Sequence, residues 1–179
     1  MQIHHHSDFE PSPEGNTEQG LQRVLTRLVK TMHRDALIQQ TTHELRESLQ
    51  VDRVVLYYFY CQWQGQVTFE ALSSDEFSIL GSTGADNCFN DEYAALYLAG
   101  RVRALADIEL AAIHTCHRDF LRSIQVCANL VVPILTPKGL WGLLVAHHCQ
   151  QPYSWAQSDL ELMQIAAQTL ATDPLILES

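Results

Sequence analysis

Two cysteines separated by 28 positions are the residues of this chain best suited to covalent chemistry. Cys88 lies two positions after Asp86, and Cys116 is followed directly by His117. The thiolate is the nucleophilic form of cysteine, and a neighbouring imidazole or a helix N-terminus favours that anion. The pair is the pattern expected of a protein that holds one electrophilic ligand with two sulfurs, one through a permanent bond and one through a reversible bond.

Two other kinds of site could use the same thiols. Cys116 and His117 could be the nucleophile and base of an enzyme. However, adjacent residues on a helix diverge by about 100°, which is poor geometry for direct proton transfer. Cys88 and His114 could join them in a metal site, but no recognised zinc spacing is present. The sequence therefore predicts a protein that is not an enzyme, with no catalytic residue and no metal ligand.

The composition restricts the partners of the chain. The formal net charge is −10, and no cluster of lysines and arginines marks a surface for nucleic acid or anionic lipid. No apolar run reaches the roughly 20 residues that span a bilayer, and the first residues lack signal-peptide organisation. Five cysteines do not suit a disulfide framework. We expect a cytoplasmic protein with free thiols, no membrane segment and no nucleic-acid partner.

A polar tail precedes a single predicted domain. Residues 1–18 predict a flexible tail, and the folded domain is predicted over 19–175. The domain begins with a stripe of apolar residues at helical spacing, which predicts a first helix, and a second helix is predicted over 37–49. The stripe is either a core face or the seam of a dimer. Its members are Leu21, Val24, Leu25, Leu28, Val29 and Met32.

The rest of the domain predicts an antiparallel sheet covered by helices. The predicted strands are 51–61, 66–72, 101–106, 126–135 and 140–149. The predicted helices are 91–100, a helix that contains Cys116 and ends near 123, and 155–170 with Ser154 as its cap. A long irregular stretch over 73–91 carries Cys88 and predicts a functional loop. This order of elements predicts an α+β fold with helices on both faces of the sheet.

Several separate motifs resemble the bilin-binding GAF domain of cyanobacteriochromes. The subfamily they resemble is named DXCF for its Asp-Xaa-Cys-Phe motif and uses two cysteines. The matching segments are 86–89, 100–104, 116–121, 128–135 and 140–147. The resemblance implies a GAF fold, whose terminal helices could form a dimer bundle.

The resemblance implies a role for each residue of the two-cysteine pattern. Cys116 would form a permanent thioether to a linear tetrapyrrole, either phycocyanobilin or its isomer phycoviolobilin, and His117 would contact the pyrrole rings. Asp86 would accept hydrogen bonds from the pyrrole nitrogens, because a buried cationic bilin requires an anion. Cys88 would add reversibly to the central methine bridge, which would halve the conjugated system and shift absorption to the blue.

The resemblance also implies roles for residues around the ligand. Arg101 would pair with a bilin propionate, for which a guanidinium fork is well suited. Arg103 would share this role or form a surface salt bridge. His147 would contact ring D or pack in the core. Phe89 and Tyr93 would line the pocket or belong to the core.

The implied function is that of a photoreceptor module. Light would isomerise the bilin between 15Z and 15E forms, giving a blue-absorbing state and a longer-wavelength state in the green to orange range. A signalling output domain, such as a histidine kinase, a cyclase or a chemotaxis-type domain, would act in cis or in trans. The alternative is a GAF-type sensor of a non-covalent small molecule such as a cyclic nucleotide, which needs neither Cys88 nor Cys116.

Overall fold

The protein is built on one five-stranded sheet. The computed structural model describes residues 13–61, 63–84 and 91–179. Its strands are β1 (Arg53–Cys61), β2 (Gln64–Leu72), β3 (Arg103–Leu105), β4 (Ala128–Thr136) and β5 (Gly139–His148). All neighbouring strands are antiparallel, and their order is β2-β1-β5-β4-β3. The two predicted hairpins are β1–β2 and β4–β5.

Helices cover both faces of the sheet. They are α1 (Pro13–Leu49), α2 (Asp91–Leu98), α3 (Thr115–Ser123), α4 (Gln157–Thr172) and α5 (Pro174–Leu177), and one 3-10 turn spans Asp75–Phe77. Helices α1 and α4 pack on one face, and α2 packs on β4 and β5 from the other. The predicted α+β architecture is confirmed.

Side chains alternate between two apolar layers, as the pleat of a strand requires. Along β1, Val54 and Leu56 pack beneath α1 and α4. Val55 points to the other face, where it joins Val131 of β4 and Val145 of β5. Burying each such side chain contributes about 1.5–3 kcal/mol. Because a slip of one residue would exchange the two layers, this burial also fixes the register of the strands.

Helix α1 differs from the prediction of two helices. It is continuous over Pro13–Leu49, because the sequence between the two predicted segments contains neither glycine nor proline. In its second half, Ile38, Leu45 and Leu49 are buried in the core. In its first half, the apolar stripe of 21–32 lies beyond the sheet, and its six members are 49–62% exposed. The stripe is therefore not part of the core of this chain.

The ends of two predicted segments also differ. Helix α4 begins at Gln157, and the carboxylate of Asp159 accepts a hydrogen bond from the Ala156 N–H at 2.8 Å. Ser154 is therefore not the cap, because a cap must directly precede the first turn. Helix α1 begins at Pro13, within the segment predicted as a tail. The predicted boundary between tail and domain stays a prediction.

Within the described part of the chain, no helix is long and apolar enough to cross a membrane.

Candidate functional site

A cavity of about 840 Å³, measured with its open mouth, lies on the sheet face opposite α1 and α4. Its floor is formed by apolar side chains of the strands, and its sides by α2, α3 and the chain after β2. Polar residues also line it: Tyr57, Ser82, Thr83, Tyr97, His117, Asn129 and His147.

Helix α3 brings the predicted anchor region to this cavity. The imidazole Nδ1 of His114 accepts a hydrogen bond from the Cys116 N–H at 3.2 Å and so caps the helix. Cys116 lies in the first turn and is half-buried. The next residue, His117, lines the cavity together with Phe120 and Leu121. Cys116 is therefore the immediate neighbour in sequence of a residue that lines the cavity, although it is not itself one of the described lining residues.

His117 is neutral at neutral pH. Burial lowers its pKa to about 4, and the positive charge of Arg103 adds to this effect. The ring of Tyr93 on α2 lies 6.3 Å from the His117 ring, with the planes inclined by 32°. Two residues that were predicted to share a site, Tyr93 and His117, are thus in contact.

The two predicted arginines lie at the margin of the site, and neither belongs to the described cavity wall. Arg103 is close enough to His117 to lower its pKa. Burial raises the pKa of Tyr97, while Arg103 and then Arg101 oppose the increase. The Nε of Arg103 is buried and has no hydrogen-bond partner among the described residues. Of the two, Arg103 is the better placed to meet an anionic group of a ligand.

His147 lines the cavity and is buried. Its Nδ1 accepts a hydrogen bond from Nε of Arg53 at 3.0 Å. Burial and the charge of Arg53 hold the pKa of His147 well below its usual range. Sequence reasoning missed Arg53, although a charged residue at the start of an apolar strand was an available signal.

Asn129 is a second residue that sequence reasoning missed. It is 3% exposed, lines the cavity and lies opposite His147 in the β4–β5 pairing. Its Oδ1 has no hydrogen-bond donor among the described residues. A buried acceptor without a partner is costly unless a ligand or water supplies the donor. The signal was a polar residue within the apolar strand 128–135.

The Tyr57 hydroxyl is hydrogen-bonded to the backbone just before residues 86–89, the Asp-Xaa-Cys-Phe motif. It donates to the Gly65 carbonyl at 2.8 Å and accepts from the Gly84 N–H at 3.1 Å. Asp86, Cys88 and Phe89 lie outside the described residues. The stretch that contains them follows Gly84 and precedes α2, and both Gly84 and Tyr97 of α2 line the cavity.

Other cysteines and aromatic residues lie elsewhere. Among the described residues, Cys61, Cys127 and Cys149 are free thiols, whereas Cys116 is disulfide-bonded, so the expectation of free thiols is wrong for Cys116. Burial raises the pKa of Cys149 to about 11, and it also raises the pKa of Cys127. Trp155 packs against Tyr153 and donates to the Leu105 carbonyl at 3.1 Å. It therefore belongs to a separate aromatic cluster.

A family model described as GAF domain matches residues 33–173. An uncharacterised protein of Picosynechococcus sp. (strain PCC 7002) is 52% identical over 156 residues, which are 87% of this chain and 96% of the relative. A protein of Synechocystis sp. (strain PCC 6803) named for methyl-accepting chemotaxis is 35% identical over 142 residues. That alignment covers 79% of this chain and 14% of the longer relative.

Two solved structures are similar to the chain over most of its length. The blue-light-absorbing form of the Thermosynechococcus elongatus PixJ GAF domain is 32% identical, with a TM-score of 0.73. The similarity covers 79% of this chain and 84% of that one. The phycocyanobilin-bound GAF domain of a cyanobacterial phytochrome is 28% identical, with a TM-score of 0.72. That similarity covers 86% of this chain and 91% of the phytochrome domain.

Proposed function

Because the chain belongs to the GAF domain family, we propose that it is a photosensory domain that binds a linear tetrapyrrole covalently. The observation that carries the proposal is the position of α3, whose His117 lines an apolar cavity and directly follows Cys116 in the first turn of the helix. The two similar structures support it, one by its blue absorption and the other by its bound phycocyanobilin. We propose phycocyanobilin or phycoviolobilin as the ligand.

The residues of the cavity suit such a ligand. Apolar strand side chains would cover the conjugated rings, and a neutral His117 can pack on them without the cost of a buried charge. The unpartnered Oδ1 of Asn129 supplies an acceptor for an N–H group. Arg103 at the margin can pair with a carboxylate. These properties fit a large, flat, mostly apolar molecule with a few polar groups.

Cys116 would attach the ligand by addition. Once a thiol reductant has cleaved the disulfide bond of Cys116, its sulfur would form one bond to an unsaturated carbon of the ring A substituent, and the thiol proton would end on the adjacent carbon. Nothing leaves, so the step needs no oxidant. We propose no enzymatic activity beyond this attachment and an isomerisation of the bound bilin.

Cys88 is proposed as the second, reversible thiol. Gly84, which directly precedes its segment, and Tyr97, which lies in the helix that follows it, both line the cavity. Asp86 would serve as the anion for the pyrrole nitrogens. Addition of the Cys88 sulfur to the carbon of the central methine bridge, with the thiol proton taken up by a pyrrole nitrogen, would give the blue-absorbing state. The reverse elimination after 15Z to 15E isomerisation would return the proton to the sulfur and give the green to orange state.

An absorption spectrum tests the proposal. The protein is produced with phycocyanobilin and measured before and after blue light, and again after acid denaturation. A reversible shift to longer wavelength and colour that survives denaturation are expected. Cys116→Ala should lose the covalent colour, whereas Cys88→Ala should keep it and lose the blue state. Cys127→Ala, a free thiol outside the described cavity wall, is the matched control.

A non-covalent small molecule, such as a cyclic nucleotide, is the alternative ligand. In that case wild-type protein would be colourless after denaturation, and Cys116→Ala would behave as wild type. The neutral His117 and the apolar walls favour the tetrapyrrole.

The exposed stripe of α1 is proposed as the seam of a homodimer that passes the signal on. Its six apolar residues repeat at helical spacing and continue the helix whose second half is anchored in the core. The relative named for chemotaxis supports a signalling output domain, in cis or in trans, as the partner of this domain. We propose a cytoplasmic location.

A further inference from the structure

Arg53 is fully buried and bonded to neutral groups. It is 0% exposed, and its guanidinium donates to the Phe77 carbonyl, to the Ile124 carbonyl at 2.8 Å and to Nδ1 of His147 at 3.0 Å. Burying an arginine is costly unless hydrogen bonds compensate, and these three acceptors supply that compensation. Two of these partners, His147 and Ile124, belong to residues that line the cavity, and His147 is the one that contributes a side chain to the hydrogen bond with Arg53.

This hydrogen bond determines where the proton of His147 lies. A guanidinium has five donors and no acceptor, so Nδ1 of His147 must present a lone pair. In a neutral imidazole the other nitrogen then carries the proton. The low pKa of His147 keeps the ring neutral at neutral pH. Its Nε2 is therefore an N–H donor, and it is the nitrogen left for a molecule in the cavity.

We propose that Arg53 is a positioning residue that holds His147 in the Nε2–H form, so that this wall of the cavity selects a hydrogen-bond acceptor. The group that fits is a carbonyl oxygen; that it belongs to a bilin rests on the proposed function. The cross-strand pairing supports this assignment. Arg53 and Asn129 both pair with His147, so the three buried polar residues form one row across β1, β5 and β4.

The tautomer can be measured without any bilin. A long-range ¹H–¹⁵N correlation spectrum of uniformly labelled protein distinguishes protonated from unprotonated imidazole nitrogens, and His147→Gln identifies the signals of residue 147. The expected result is an Nε2–H pattern for His147 in the wild type. An Nδ1–H pattern in the wild type would overturn the proposal, whether or not the domain binds a bilin.

Substitution of Arg53 tests whether this residue determines the tautomer of His147. Arg53→Met should bring in a measurable Nδ1–H fraction, because the fixed donor to Nδ1 is lost. Arg118→Met is the matched control, since Arg118 also bonds two carbonyls, those of Ile108 and Ala111, at 2.9 and 2.7 Å. It should leave His147 unchanged. An unaltered Nε2–H pattern in folded Arg53→Met would contradict the proposal.

A second pair of variants applies if Arg53→Met does not fold. The amide nitrogen of His147→Gln can reach the position of Nε2, whereas that of His147→Asn reaches only the position of Nδ1. With phycocyanobilin bound, the Gln variant should keep the wild-type absorption maximum and the Asn variant should shift it. If the absorption maximum shifted equally in both variants, the proposal that His147 donates through Nε2–H would be contradicted. A colourless wild type would instead refute the proposed function and leave the tautomer measurement standing.

Discussion

Asn129 lies directly opposite His147 in the β4–β5 pairing, and both side chains are buried at the wall of the cavity. Apart from Arg53, which pairs with His147 from β1, neighbours of this pair on the same face of the sheet, such as Val131 and Val145, are apolar. Two polar side chains placed side by side in an apolar floor mark the place where a ligand would be recognised rather than simply enclosed.

Replacing Asn129 should separate the stability of the empty domain from that of the bound one. Asn129→Leu removes a buried acceptor without a partner, so the bilin-free protein should be equally stable or more stable by about 1–3 kcal/mol. The same variant should gain less stability from phycocyanobilin than the wild type does. Urea unfolding with and without the bilin measures both effects.

Thr68→Val is the control for this comparison, because the Thr68 hydroxyl is also buried without a partner among the described residues and lies outside the described cavity wall. It should leave the stabilisation by phycocyanobilin unchanged. An equal loss in both variants would argue against a ligand contact at Asn129.

The low pKa of His117 predicts acid sensitivity. The folded domain binds this proton only near pH 4, whereas the unfolded chain binds it near the ordinary value of 6.5. Between these values the unfolded state carries more protons, so stability is lost as the pH falls from about 6.5 to about 4. Urea unfolding of bilin-free protein across this range should show the loss, and His117→Gln should make it shallower.

His33→Gln, at an exposed position on α1, is the control and should keep the wild-type slope. Part of the slope should remain in His117→Gln, because the pKa of His147 is lowered as well. A slope identical to that of the wild type would contradict the assignment to His117.

The two halves of α1 predict opposite responses to substitution. Leu25 and Leu28 are 49% and 54% exposed, so Leu25→Glu with Leu28→Glu should dissociate the proposed dimer and leave the monomer fold intact. Leu45 is 3% exposed, and Leu45→Ala should cost about 2–5 kcal/mol of stability. Sedimentation velocity and urea unfolding distinguish these outcomes. A wild type that stays monomeric at all concentrations would contradict the seam.

The sequence predicted those features that depend on local pattern. The β1–β2 and β4–β5 hairpins follow from apolar runs joined by turns, and the position of His117 follows from the helix that carries it. The row of Arg53, His147 and Asn129 could not be predicted, because it depends on the pairing of β1 with β5, which brings together Arg53 and His147 from positions 94 apart in the sequence. The sequence does not predict that α1 is continuous, because its apolar residues recur at helical spacing in both halves but are buried only in the second half. The roles of Asp86, Cys88 and Phe89 stay predictions.

Substitution of Tyr57 should affect the reversible bond of Cys88 more than the attachment through Cys116. The Tyr57 hydroxyl joins Gly65 to Gly84, directly before the segment of Cys88. Tyr57→Phe loses both hydrogen bonds, and we expect a cost of about 1–3 kcal/mol. In the bilin-bound protein, attachment through Cys116 should persist, whereas the blue-absorbing fraction should fall. Tyr58→Phe is the control, because Tyr58 packs against Trp141 instead. Absorption spectra before and after denaturation measure the two bonds separately, and an unchanged blue fraction in Tyr57→Phe would show that this anchor does not act on Cys88.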